Sequence, residues 1–186
     1  MTRLVVGISG ATGAIYGIRL LELLKTRTQI ETHAVITDMG KATISIETEY
    51  SVQDVEKLAA HSYSIKDLAA AISSGSFQTD GMIVAPCSVK TLSAVANCAN
   101  DNLLTRAADV TLKQRRKLVL LFRETPLHAG HCQLMLDATR IGAIVMPPVP
   151  AFYTKPQTIG DIVDDTLARV LDFWDIDILP NRRWPA

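Results

Sequence analysis

The charged pair Arg123-Glu124 stands in an unusual place, immediately after the apolar run LVLLF at residues 118–122 and just before Thr125-Pro126. A pair set at the end of a buried strand is aimed by the sheet edge: the guanidinium suits an anion, the carboxylate suits proton transfer. A second signal is GISGATGAIYG at residues 7–17, which follows the apolar Leu4, Val5 and Val6. Side chains this small expose backbone N–H groups where a strand gives way to a helix, and such a turn suits an anion, usually a phosphate. Its spacing is G-x-x-G-x-x-G, not the dinucleotide pattern G-x-G-x-x-G, so phosphate is expected there and NAD is not. Ordinary duties compete with each reading. A glycine turn permits tight strand–helix packing, a serine such as Ser88 caps a helix, and a surface ion pair contributes only about 0–1 kcal/mol.

Two further clusters have chemical potential. Arg106 and Lys113 lie seven residues apart in a basic segment and project from one side of a helix, where they can serve a second phosphate as well as form a solvated face. His128, His131 and Cys132 crowd a helix start without carboxylates at telling spacings, so they read as packing or surface residues and no metal is expected. Cys87 lacks a neighbouring base and reads as a packed, inert thiol.

The elements that must position these residues follow from periodicity. Apolar, β-branched runs at 4–8, 33–37, 82–85, 118–122 and 143–146 predict strands. After the glycine turn, Ile15, Leu20, Leu21 and Leu24 fall near one helical face. Further helices are predicted at 52–60, 65–73, 88–96, 103–116, 129–140 and 159–174. This alternation describes an α/β fold, a doubly wound parallel sheet sandwiched by helices. Ligands of such sheets bind beyond the carboxyl ends of the strands. One rim then collects residues 9–13, Thr37 and Asp38, residues 86–91, Arg123 and Glu124, and residues 147–153 with Tyr153.

At 186 residues, with no linker or composition shift, one domain spanning 1–186 is expected. Nineteen basic residues balance nineteen acidic ones, so the total favours neither nucleic acid nor an acidic membrane as partner. No apolar run approaches a membrane span, and three cysteines without a C-x-x-C pair suit a reducing cytoplasm.

These loops together resemble the flavin prenyltransferases, the UbiX/Pad family, in its branch associated with phenolic-acid decarboxylation. The resemblance covers nearly the whole length. It is carried by GISGATGAIYGIRLL, APCSVKTLSAVA, NLLTRAADVTLKQRRKLVLLFRETPL, MLDATRIGAIVMPPVPAFYTKPQTIGDIVD and ISSGSFQTDGMIV, in the family's order. It implies a Rossmann-like flavoprotein fold and transfer of a dimethylallyl group from dimethylallyl phosphate to N5 and C6 of reduced FMN. The prenylated FMN would pass to a separate UbiD-type aromatic-acid decarboxylase. By resemblance, Gly10, Ala11, Thr12, Thr37, Ser88, Val89, Lys90, Thr91 and Arg123 hold FMN, and Tyr153 and Arg169 meet the prenyl phosphate. Arg106, Lys113 and Glu124 match positions lining the family's active site, with Glu124, Thr12 and Lys113 as catalytic candidates. The resemblance also implies a site assembled between subunits, in trimers arranged as a dodecamer.

The chemistry suits the residue types. Departure of phosphate from an allylic carbon leaves cationic character, so the site must grip an anion and keep water away. The sequence departs from the family pattern at Thr12, often Ser, and at Thr37-Asp38, usually Ser-Lys; Asp38 sets an anion beside the flavin pocket. Residues 128–135, HAGHCQLM, replace the commoner Ile-His-Leu-Glu-Asn pattern. Two other readings compete. One is an FMN-dependent decarboxylase of the same superfamily, which depends on an early histidine, whereas the first histidine here is His33. The other is a non-catalytic FMN carrier, which needs no second phosphate site.

Overall fold

The computed structural model describes residues 1–179. By internal contacts the chain divides into two compact units, residues 1–147 and 148–186. The first unit holds six parallel strands, β1 (Thr2–Ile8), β2 (Ile30–Ile36), β3 (His61–Tyr63), β4 (Gly81–Cys87), β5 (Lys117–Phe122) and β6 (Ile144–Val145), in the order β3-β2-β1-β4-β5-β6. The order reverses between β1 and β4. Chains leaving those two strands run to opposite sides, and the crevice beyond their carboxyl ends is the natural ligand position.

Helices α1 (Ala14–Lys25), α2 (Asp38–Glu47), α3 (Val52–Glu56), α4 (Val89–Ala96), α5 (Leu103–Lys113) and α6 (Ala129–Arg140) complete this unit. Alternation along the strands sorts the core into two faces. Val5, Val35, Met82, Val84, Leu118 and Leu120 cluster with Leu92 of α4 and with Leu103, Leu104 and Ala107 of α5. Ile8, by contrast, meets α1 at Gly17, where any Cβ would strike the Ala85 carbonyl oxygen. Part of the small-residue run after β1 therefore serves close helix–sheet packing.

The second unit contains α7 (Ile159–Leu171), started by a capping box: Thr158 accepts from the Asp161 N–H, and the Asp161 carboxylate accepts from the Thr158 N–H. Thr154 donates to buried Asp165.

Three expectations need correction. No helix forms over 65–73; only a 3-10 turn at Ala71–Ser73 is present. Carbonyls in and after this segment are taken by arginine side chains instead: Ser73 O by Arg106, Gly75 O and Phe77 O by Arg116. The helix expected over 52–60 ends at Glu56, and the one over 103–116 ends at Lys113, before Arg115 turns to a φ of 57°. Helix α2 and the edge strand β3 were not expected at all.

Candidate functional site

The loops after β1, β2, β4 and β5 enclose a cleft of about 850 Å³. Ten of the expected residues line it: Gly10, Ala11, Thr12, Thr37, Ser88, Val89, Lys90, Thr91, Arg123 and Glu124. Ile65, Lys66, Leu68, Asp101, Asn102 and Thr105, none of them expected from the sequence to serve the site, form another part of its wall.

Three helices begin at this cleft. Thr37 caps α2 by accepting from Gly40 N at 2.9 Å, Ser88 caps α4 by accepting from Thr91 N at 3.3 Å, and Asn102 caps α5 by accepting from Thr105 N at 3.1 Å. Ser88 is thus both a cap and a wall of the cleft. It is held there by Ser9, whose Oγ accepts from Ser88 N at 2.8 Å and donates to Pro86 O at 2.9 Å. Helix starts bring partial positive charge, and with Lys90 and Arg123 they make the rim suited to anions.

The glycine turn itself already holds an anion, and it belongs to the chain. Glu47, the last residue of α2, accepts from Gly13 N at 2.8 Å and Ala14 N at 3.1 Å. A carboxylate of the chain thus satisfies the first donors of α1, while Gly10, Ala11 and Thr12 of the same turn line the cleft. Burial pushes Glu47 toward the neutral form, but hydrogen bonds from Thr12, Gly13 and Ala14 and the charge of Arg123 outweigh it and hold its pKa below the ordinary value. Thr12, Glu47 and Arg123 form one charge network beside the cleft. No motif marks Glu47 in the sequence.

Glu124 Oε1 accepts from Thr125 N at 2.9 Å; among the described residues no ion pair joins Glu124 to Arg123. Burial pushes the Cys87 thiol far up, away from the reactive thiolate.

Other expected residues are placed elsewhere. Arg106 and Lys113 are not among the residues lining this cleft. The Arg106 guanidinium donates to Ser73 O at 3.1 Å and pairs with Asp109 at 3.1 Å, while Lys113 is exposed. Tyr153 and Arg169 belong to the second unit; both are exposed, and Arg169 lies 3.9 Å from Asp172. His128 caps α6 by accepting from Gly130 N and stacks on His131 with ring centroids 3.7 Å apart.

The flavoprotein family model matches residues 1–171. Over 178 residues the chain is 56% identical to the flavin prenyltransferase UbiX of Escherichia coli (strain K12), covering 96% of this chain and 94% of that protein. The chain belongs to the flavoprotein family, among its flavin prenyltransferases. The flavoprotein also superposes on a dodecameric FMN-dependent UbiX-like decarboxylase from Escherichia coli O157:H7, with a TM-score of 0.96, 49% identity and full coverage of both chains. With AnUbiX in complex with FMN and dimethylallyl pyrophosphate, the TM-score is 0.95 at 48% identity, covering 100% of this chain and 98% of that one.

Proposed function

We propose that this flavin prenyltransferase joins a dimethylallyl group from dimethylallyl phosphate to N5 and C6 of reduced FMN, and that the prenylated FMN serves a UbiD-type aromatic-acid decarboxylase. The observation that carries the reading is the cleft. It gathers anion-binding helix starts, Lys90, Arg123 and Glu124 together with an apolar part of the wall, Ile65 and Leu68, in a chain 56% identical to a flavin prenyltransferase.

FMN fits this donor set. Residues 10–12, Thr37, residues 88–91 and Arg123 would hold it, and it would supply the electron-rich atoms that accept the prenyl group. The protein's part is placement and electrostatics. Arg123 offers a planar, permanently charged donor to a phosphate oxygen, while the apolar wall keeps water from the allylic carbon as positive charge develops. Holding both reactants in one cleft removes the entropic cost of their encounter. Glu124 and the Thr12 hydroxyl, which donates to Glu47, are the groups proposed to move protons. We assign Tyr153, Arg169, Arg106 and Lys113 to the prenyl phosphate, from a neighbouring subunit where they do not line this cleft. A homo-oligomer, a dodecamer as in the UbiX-like structure, provides that neighbour. We place the enzyme in the cytoplasm; among the described residues no helix is long and apolar enough to cross a membrane.

The test is mass spectrometry of the flavin after anaerobic incubation of the enzyme with reduced FMN and dimethylallyl phosphate or diphosphate. A flavin heavier by one dimethylallyl unit is expected. Unchanged FMN with both donors would overturn the reading in favour of a carrier, and carbon dioxide release from a peptidyl or pantothenoyl cysteine in favour of a decarboxylase.

A further inference from the structure

At the opposite end of β2 from the cleft, three side chains converge that the flavin reaction does not use. Glu31 and His33 are two apart on β2 and share a face of the sheet; His61 is the cross-strand partner of His33 on β3, and Tyr63 follows two residues later on that face. One ligand atom from each of Glu31, His33 and His61 lies within 4.8 Å of the others. His61 Nε2 is 3.1 Å and His33 Nε2 is 3.3 Å from the same atom, Glu31 Oε1.

Neighbours orient all three. Arg3 Nε donates to Glu31 Oε2 at 2.9 Å, leaving Oε1 turned toward the two rings. The Tyr63 hydroxyl lies 2.9 Å from His33 Nδ1. When Nδ1 carries the ring proton and the Tyr63 oxygen accepts it, the Nε2 lone pair faces Glu31 and His61. His33 is only 2% exposed, and its Nε2 is buried without an aligned hydrogen-bond partner. Such an atom, aimed at a carboxylate and a second imidazole, is unusual in a native interior.

We propose that Glu31, His33 and His61 form a binding site for a divalent first-row transition ion of the zinc type, with two imidazoles, one carboxylate and a coordination position open to solvent. Metal–ligand bonds of about 2.0–2.2 Å in a tetrahedral array set neighbouring ligand atoms about 3.3 Å apart, which matches both separations from Glu31. His61 closes the remaining one. It is half-exposed on an edge strand and stacks on His33 with centroids 4.8 Å apart, so it can turn its ring off the stack to aim Nε2 at the ion. The Arg3 guanidinium, 2.9 Å from Glu31 Oε2, repels a cation at this point and weakens the site. The ion would staple the three-residue strand β3 to β2 and protect a sheet edge. Four to six residues of extended strand, about 13–20 Å, separate His33 and Glu31 from Thr37 at the cleft, so metal loading leaves FMN binding unchanged.

The test is calorimetric titration of the chelator-treated full-length protein with zinc chloride, repeated with cobalt(II) to read tetrahedral d–d absorption. One equivalent per chain and a raised Tm are expected. His61→Gln and Glu31→Gln should abolish the stoichiometric binding while retaining FMN binding, which shows the fold intact. Tyr63→Phe, which removes only the orienting hydroxyl, should weaken zinc by about 10–100-fold. The double variant His128→Gln/His131→Gln should bind zinc as the parent does. No stoichiometric binding by the parent protein, undiminished binding by His61→Gln, or loss of binding in the His128/His131 variant would each overturn the proposal.

Discussion

Glu47 and Glu124 are two carboxylates near one arginine, and their surroundings give them different work. Glu47 is committed to Thr12 and to the backbone amides of Gly13 and Ala14, so it acts as a fixed negative charge. Its pKa is lower in the folded chain than in the unfolded one. The stabilisation is therefore complete above the ordinary glutamate value of 4.5 and is lost as pH falls through the lower folded value. Thermal unfolding of Glu47→Gln against the parent should show a Tm gap that is full at neutral pH and closes below pH 4.5; a constant gap would mean that the charge has no part in it. Among the described residues Glu124 accepts one hydrogen bond, from the adjacent Thr125 N–H, which a glutamine oxygen accepts as well. Glu124→Gln should therefore keep both ligands bound and lower the single-turnover prenylation rate by about 10²–10⁴-fold, the range for losing a positioned acid or base. A variant that converts bound flavin at the parental rate would remove Glu124 from proton transfer.

At the scale of elements, the strands reaching the cleft were legible because buried parallel strands are continuous apolar runs, and their loops were legible because hydroxyls, glycines and charges interrupt those runs abruptly. The elements missed share a physical cause. Of α2, only Gly40 and Ile44 are buried, too few to set up a helical period, and with α2 went Glu47. Strand β3 is three residues long and consists of His, Ser and Tyr, on an edge where no alternation is enforced. Residues 65–73 have the composition of a helix, but bonds from Arg106, Arg116 and Leu103 to backbone carbonyls of residues 65–77 override that propensity. The apolar wall of the cleft was hidden for that reason. In the glycine turn the same small residues signal a ligand and meet the demands of packing. Gly17→Ala should cost about 1–3 kcal/mol of stability by overpacking, since the new methyl strikes a backbone oxygen of β4 and Ile8. Gly160→Ala, on α7 with its nearest neighbour Thr158 Oγ1 at 3.6 Å, should instead stabilise by about 0.4–1 kcal/mol. Chemical denaturation of both variants checks the contrast.

At the scale of the whole molecule, two observations bear on how a complete site is made. The cleft is walled by the first unit alone, whereas Tyr153 and Arg169, which we assign to the prenyl phosphate, belong to the second. Large apolar side chains stand exposed in both units, among them Ile46 at 82% and Ile159 at 80%, as expected of surfaces covered by other copies in an assembly. Light scattering should accordingly give a particle of twelve 20.3 kDa chains. If the second unit of one subunit completes the cleft of its neighbour, two inactive variants must rescue each other. Arg123→Ala removes the anion grip of a cleft but leaves Arg169 to lend; Arg169→Ala leaves the cleft whole but lends nothing. Unfolded together and refolded at equal amounts, random mixing gives about a quarter of the sites an intact cleft and an intact donor, the count for a heterologous contact between two kinds of subunit. Mixed oligomers should recover about that fraction of parental prenylation, while each variant refolded alone stays inactive. If Arg169 served the cleft of its own chain, no mixed site would hold both arginines, and the mixture would be as inactive as its parts.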